Sequence, residues 1–434
     1  LQIKTRLTNL SELREGRYMD SGSTQSAATD RIEAPAVEAR RSVPTALVLL
    51  LAVCCVVSVA NVYYAQPLLD SIAMDFRISQ AAVGGVITAT QLGCALALLL
   101  IVPLGDLLNR KWLICVQLVL LAATLAMLGL AHSSLMLLIG VAGAGMLGTA
   151  MTQGLIAYAA TLAHESERGR VVGAAQSGVV IGLLVARSFA GVITDLAGWR
   201  SVYFISGLLA TIMLIVLWNA LPAPRVKPVR LTYFQLLGTM FSLLASERVL
   251  QVRGMIGLFM FGSFSIFWSA LVLPLSAPPF SMSHTQIGAF GLVGAIGALA
   301  AARAGYLADR GLEGWTTGVA LVCLLTSWIP IGFMPHSMLA LIVGIVLLDV
   351  GGQAVHVINQ SMIFRVRPEA HGRLVGCYML FYSAGSGLGA AASTYVYVHA
   401  GWIGVCMLGF AVSVAALMFW VVTLPLMRAR ASVS

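Results

Sequence analysis

Three ionisable residues lie deep inside long apolar stretches of the chain: Arg187, Asp349 and His356. A charge in hydrocarbon costs at least ~2.5–3.5 kcal/mol on insertion scales, so each such residue marks a functional position by default. Asp349, Gln353, His356 and Gln360 step by four, three and four residues, which sets all four on one helical face. With Ala, Val and Ile on the other faces, that stripe suits a helix lining a wet cavity. The chemistry it offers is the taking up and release of a proton. His356 belongs to the residue type that titrates near neutral pH, although a neutral histidine bonded to a backbone carbonyl is an equal reading. Asp349 is the better carrier, because a carboxyl can hold its proton as a neutral group. Arg187 stands 17 residues from Arg170, and Asp349 stands 16 from Arg365, so both lie roughly 25 Å from the same charged surface by helix rise. Equal depth allows a membrane-embedded couple whose breaking is linked to protonation or solute arrival. The structural alternative is a fixed pair that only pins two helices.

Further residues could line the same cavity: Asn61, Tyr64, Gln91, Gln153, Trp268, Tyr378 and Tyr382. Aromatic rings with a few polar anchors suit an amphipathic ligand, while ordinary helix packing is the simpler role for any one of them. Gln153 precedes His356 by 203 residues, and that offset recurs. Asp106 and Asp309 share it, as do Gly169-Arg170 with Gly372-Arg373 and Gly198-Trp199 with Gly401-Trp402. Three separated segments with one offset mark a tandem duplication. A hydrogen-bonding side chain at one depth in both copies fits a solute site at the repeat interface.

The elements that must hold these residues are helices in lipid. Of 434 residues, 59% are hydrophobic and 10% charged, against roughly 25% charged in a soluble domain. Apolar runs of the length a spanning helix needs fall at about 45–69, 80–104, 112–131, 135–162, 171–194, 200–221, 254–276, 286–308, 316–334, 337–364, 373–398 and 402–426. The expected fold is an all-α membrane protein of twelve transmembrane helices in two six-helix pseudo-repeats. Residues 1–44 form a polar tail, 45–222 the first bundle, 223–253 a basic linker with an amphipathic helix, 254–427 the second bundle and 428–434 a short tail. The first methionine is Met19, which suggests that translation starts there. Lys and Arg gather on the tails, the linker and alternate loops, which places both termini in the cytoplasm. The net charge of +9 is scattered beside spans, so nucleic acid is excluded as a partner. The seven cysteines fall in apolar runs and form no Cys/His cluster, so neither a metal nor another cofactor is expected. The chain carries no phosphate-binding G-x-x-x-x-G-K-[ST] loop and no H-E-x-x-H or G-x-S-x-G, which speaks against ATP coupling and against an intramembrane enzyme.

Gly105-Asp-Leu-Leu-Asn-Arg-Lys111 and Gly305-Tyr-Leu-Ala-Asp-Arg-Gly311, between spans 2–3 and 8–9 of a duplicated chain, resemble the loop signature of the major facilitator superfamily of secondary transporters. The second copy keeps Gly305, Asp309 and Arg310; the first keeps Gly105, Asp106, Arg110 and Lys111 but not the Arg and Gly after the aspartate. Asn61-Val-Tyr-Tyr-Ala-Gln-Pro67, Ala186 to Gly191 and Leu348 to Gln360 are similar to a subgroup of bacterial inner-membrane transporters near the drug:proton antiporters. The exporter signature on span 5 is incomplete, since Gly178 and Gly182 stand but Leu183 replaces the proline. The resemblance implies alternating access, with Gly105, Asp106, Arg110, Lys111, Arg170, Gly305, Asp309, Arg310 and Arg373 as a cytoplasmic gate. Together these readings give a proton-coupled secondary transporter of the inner membrane, working as a monomer and exporting small amphipathic or metabolite-like solutes. A proton-linked importer or facilitator is the alternative, and a transporter-like sensor is the reading from another class.

Overall fold

A computed structural model describes residues 43–164, 167–222, 232–367 and 371–431. The N-terminal tail, most of the linker before Thr232 and the last residues lie outside the described residues, as do the side chains of Asp309 and His371. All regular structure among the described residues is helical: α1 (Thr45–Tyr63), α2 (Gly84–Leu96), α3 (Arg110–Gly129), α4 (Ser134–Leu162), α5 (Arg168–Ala197), α6 (Trp199–Ala220), α7 (Tyr233–Ser246), α8 (Arg248–Ala270), α9 (His284–Val293), α10 (Ala295–Asp309), α11 (Glu313–Thr326), α12 (Met338–Phe364) and α13 (His371–Ala431), with shorter turns between them. Helix is what a spanning segment must adopt, because hydrocarbon offers its amides no partner.

Among the described residues, ten helical segments are long and apolar enough to cross a membrane. One of them, Gly372–Pro425, is two helices joined at Gly401, whose φ of 61° is not helical. The pass expected over 286–308 is split into α9 and α10 at Gly294, so neither piece reaches that length. The twelve expected passes therefore rest on these two breaks. Gly198, between α5 and α6, also has a positive φ, 81°. The two glycines are 203 residues apart, so the repeat read from sequence recurs in the backbone at a conformation that favours glycine.

Local signals set the helix ends. Asn109 caps α3, its side-chain oxygen accepting from the backbone N–H groups of Lys111 and Trp112, which satisfies donors a helix start leaves unpaired. Capping boxes open α7 (Thr232 with Gln235) and α9 (Ser283 with Gln286). The linker helix expected within 231–250 is α7. It buries Leu236, packs Met240 and Leu243 in a small cluster with Leu374, Cys377 and Tyr378, and leaves Phe234 and Phe241 exposed. The Tyr233 hydroxyl donates to Leu100 O at 2.9 Å. That carbonyl lies in a π-helical turn, Ala97–Ile101, where the regular bonding pattern is shifted.

Residues 45–222 pack α1 on α4 and α5, α2 on α4, and α3 on α6. In 254–427, α8 packs on α13, and α10 and α11 pack on α12. The two halves of the sequence meet where α2 lies on α13 and α5 on α9. Gly191 faces the carbonyl of His284, and Gly288 faces that of Arg187, with no room for a Cβ at either. Missing side chains allow this backbone contact, as is usual between helices in lipid.

Candidate functional site

Asp349 stands on α12, only 3% exposed, and its Oδ2 has no hydrogen-bond partner. It faces the break between α9 and α10. A Cβ on Gly294 would stand 2.7 Å from Asp349 Oδ2, and one on Gly297 would stand 2.8 Å from Asp349 Cβ. At the break the N–H of Gly297 reaches back to Gly294 O at 2.9 Å, a one-turn tightening. A carboxyl group thus rests against an interrupted helix, at a point where only glycine leaves it room.

Arg187, on α5 and 2% exposed, comes to the same helix from the other half. Its Nε donates to Gln66 Oε1 at 3.0 Å and its Nη1 to Leu183 O at 3.4 Å. The guanidinium lies 4.0 Å over the Trp268 ring and 5.4 Å from that of Tyr63, where the ring faces attract a cation. Its Nη2 and the indole Nε1 of Trp268 are both buried and unbonded. The arginine stem packs on Gly291, where a Cβ would be 3.2 Å from Arg187 Cβ.

Gly291 and Gly294 are three residues apart. Arg187 and Asp349 therefore rest on one short stretch. Among the described residues no ion pair joins them in this conformation. Equal depth was legible in the sequence; the helix that comes between them was not.

The polar stripe of α12 meets aromatic partners. Gln353, His356 and Gln360 are half-buried. His356 Nδ1 lies 3.2 Å from the Tyr378 hydroxyl, and its ring packs 5.2 Å from Phe261. The bond expected to a backbone carbonyl is thus to a phenol. Tyr382 lies 4.3 Å from Phe261, and its hydroxyl shares a 2.6 Å hydrogen bond with Tyr63, between the halves. Gln91 is buried nearby, its Cβ 3.5 Å from where a Cβ on Gly387 would stand.

Asn61 and Tyr64 are placed otherwise. Asn61 accepts from Ser206 Oγ at 2.8 Å and donates to Val57 O at 2.8 Å, and Tyr64 packs on Phe189 at 5.5 Å. Both serve packing within 45–222. Gln153 is half-buried, and among the described residues none of the cluster bonds to it.

At the end of the bundle that carries most basic residues, Arg110 bonds Asp106 Oδ1 at 3.0 Å, Gly105 O at 2.8 Å and Ala157 O at 2.8 Å. Lys111 reaches Leu221 O at 2.7 Å. Arg170 pairs with Glu167 at 3.0 Å, and Arg373 donates to Thr239 Oγ1 at 3.0 Å. Arg310 stacks 4.4 Å over Tyr306, and a Cβ on Gly305 would touch Val357 at 3.5 Å. Sequence reasoning missed Glu167, Glu247 and Glu313, which pair with Arg170, Arg367 and Arg365. These described pairs each stay within one half of the sequence.

The opposite end holds a cluster that the sequence reading did not single out. His284, first residue of α9, reaches Asp70 Oδ1 and Ser71 Oγ at 3.0 Å through Nε2, and Asp195 Oδ1 at 3.1 Å through Nδ1. The backbone N–H groups of His284 and Thr285 also donate to Asp195. Asp70, Ser71 and Asp195 belong to the first half and His284 to the second. The hydrogen bond to Asp70, more than the burial that opposes it, raises the pKa of His284 above its ordinary 6.5. The capping box Ser283-x-x-Gln286 was the available signal.

The family model described as Major Facilitator Superfamily matches residues 51–327 and again 254–434. The chain belongs to the major facilitator superfamily. It is 41% identical over 375 residues to the transporter YgaY of Escherichia coli O157:H7, a match covering 86% of this chain and 95% of that protein. A Streptomyces coelicolor protein named as a transporter is 30% identical, with 82% of this chain and 83% of that protein covered. Among solved structures, a bacterial homologue of the human lysosomal transporter Spinster, inward-facing and unoccupied, superposes with a TM-score of 0.68 at 16% identity, covering 87% of this chain and 95% of that one. At that identity the likeness is one of fold. As a member of this superfamily the chain is a multi-pass membrane protein and a secondary transporter of small molecules, not an enzyme. The superfamily's loops between spans 2–3 and 8–9 here hold the Asp106–Arg110 pair and the Arg310–Tyr306 stack.

Proposed function

We propose that this chain is a proton-coupled transporter of a small amphipathic solute, working by alternating access in a bacterial inner membrane. In this reading 45–222 and 254–427 rock against each other along α2/α13 and α5/α9, with both termini and the linker in the cytoplasm. One observation carries it: Asp349, a buried carboxyl with an unbonded oxygen, lies against a broken helix that also seats Arg187 of the other half. A proton arriving on Asp349 cancels its attraction for Arg187 and so changes a contact at the seam between the halves. One charge crossing 100 mV releases about 2.3 kcal/mol, enough to drive such a cycle.

The resemblance to antiporters favours export, with proton and solute exchanging in turn. The fixed charge of Arg187 favours the second reading, in which solute and proton move together. The gates of the cycle are the Asp106–Arg110 and Arg310 loops at one end and the His284 cluster at the other. The test is solute-driven proton movement in everted membrane vesicles, comparing the wild type with Asp349→Asn. A proton signal in the wild type that the variant lacks supports the reading. Equal signals refute it.

A further inference from the structure

Three buried polar atoms near the α9–α10 stretch lack partners: Arg187 Nη2, Trp268 Nε1 and Asp349 Oδ2. Their side chains are 2%, 4% and 3% exposed, and an unsatisfied buried polar group is costly enough to need an explanation. The two donors share one neighbourhood, since the guanidinium lies 4.0 Å over the Trp268 ring. Beside them a wall of rings runs from Tyr63, 5.4 Å from the guanidinium, through Tyr382 to Phe261. We propose that the transported solute is an organic monoanion, its acidic group held by the free N–H groups of Arg187 and Trp268 and its apolar body laid against Tyr63 and Phe261. This rests on the reading of Asp349 as the proton carrier.

The sign of the ligand follows from which charges can change. An arginine keeps its charge under all ordinary conditions, whereas a carboxyl can give its charge up by taking a proton. The described neighbours of Arg187, namely Tyr63 of α1, Gln66 of the turn after it, Trp268 of α8 and Gly288 and Gly291 of α9, add no charge, and neither do Gly294 and Gly297 against Asp349. The site can therefore be neutral or singly positive, but not negative. A cation would leave an uncompensated buried charge in either state, and such a charge is expensive. An anion leaves none once Asp349 is protonated. Anion and proton thus strengthen each other's binding by the same factor, and the two travel in one direction. An inward proton gradient then drives uptake.

Benzenesulfonate is an aromatic anion at every working pH, so its own titration cannot mimic that of the protein. Equilibrium binding of radiolabelled benzenesulfonate to the full chain in nanodiscs should tighten as pH falls. Arg187→Gln should weaken it by about a hundredfold and Trp268→Phe by about tenfold, the sizes expected for losing a charged and a neutral hydrogen-bond donor. Arg187→Lys, which keeps the charge, should retain part of the affinity and so separate loss of charge from loss of fold. Asp349→Asn should bind the probe equally at all pH values. Binding of tetraphenylphosphonium in place of the sulfonate, undiminished by Arg187→Gln, overturns the proposal. Sulfonate binding that depends on Arg187 but not on pH in the wild type leaves the anion standing and removes Asp349 as the proton carrier.

Discussion

Gly294 decides how much room Asp349 has. An added methyl would stand 2.7 Å from the carboxyl oxygen and 3.2 Å from Leu184 Cδ2, and overpacking of this kind costs about 1–3 kcal/mol. Gly294→Ala should therefore lower the unfolding temperature in detergent and reduce transport by displacing the carboxyl. Asp349→Asn fits the same space, so it should leave the unfolding temperature nearly unchanged while transport loses its response to a proton gradient. Equal thermal shifts in the two variants would show that Asp349 only packs. Much at this scale was legible in advance, because a charge in an apolar run is conspicuous and its depth follows from helix rise. The roles of Gln66, Phe261 and Gly294 were not legible. An amide, a ring and a glycine are ordinary residues in a membrane helix, and only their neighbours give them meaning. Asn61's hydrogen bonds were not legible for the same reason: they run to Ser206 and Val57 within one half of the sequence.

At the scale of elements, helix ends carry the signals that composition hides. Asn109 ends the Gly105 to Lys111 loop by capping α3, so Asn109→Ala should cost about 1 kcal/mol, read as a lower unfolding temperature. The start of α9 supplies a pH dependence whose sign can be worked out. His284 has its pKa raised by Asp70 and Asp195 when the halves touch there. The protonated form is then favoured by contact, so this stabilisation is fully present below the ordinary 6.5 and is lost as pH rises through the raised value. A thiol placed at Ser71 in a cysteine-free background that keeps His284 should be protected from a membrane-impermeant reagent at acidic pH and become reactive as pH rises. With His284→Gln added, reactivity should rise with pH only as far as the thiol's own ionisation accounts for, and the extra protection at acidic pH should be gone. The spans were largely legible because apolar length is a strong signal. The split at Gly294 was hidden, since Gly291, Gly294 and Gly297 read equally well as close-packing positions in one unbroken helix.

For the whole molecule, the described side-chain bonds between 45–222 and 254–427 lie at mid-depth or toward the His284 end, while toward the basic end α7 of the linker bonds the first half through Tyr233 and Leu100. Thr88 Oγ1 donates to Gly387 O at 2.8 Å, Thr394 Oγ1 to Ala81 O at 3.1 Å and Ser188 Oγ to Gly288 O at 3.0 Å. The ion pairs of the basic end stay within their own halves. The halves are thus joined by side-chain bonds on the His284 side, and the ion pairs at the other end do not join them. This makes a disulfide prediction possible. The seven native cysteines are free and mostly buried, so a background lacking them can carry Ala81→Cys with Thr394→Cys, two positions already joined by a hydrogen bond. Oxidation should lock that end and stop transport, and a reductant should restore it. A third cysteine at Gln360, half-buried on the polar stripe of α12, should stay reactive from the basic side while the lock holds, because closing one end leaves the other open. Full transport through the locked protein would show that the halves do not part there. Loss of reactivity at Gln360 on locking would show that closing the His284 end does not leave the basic end open.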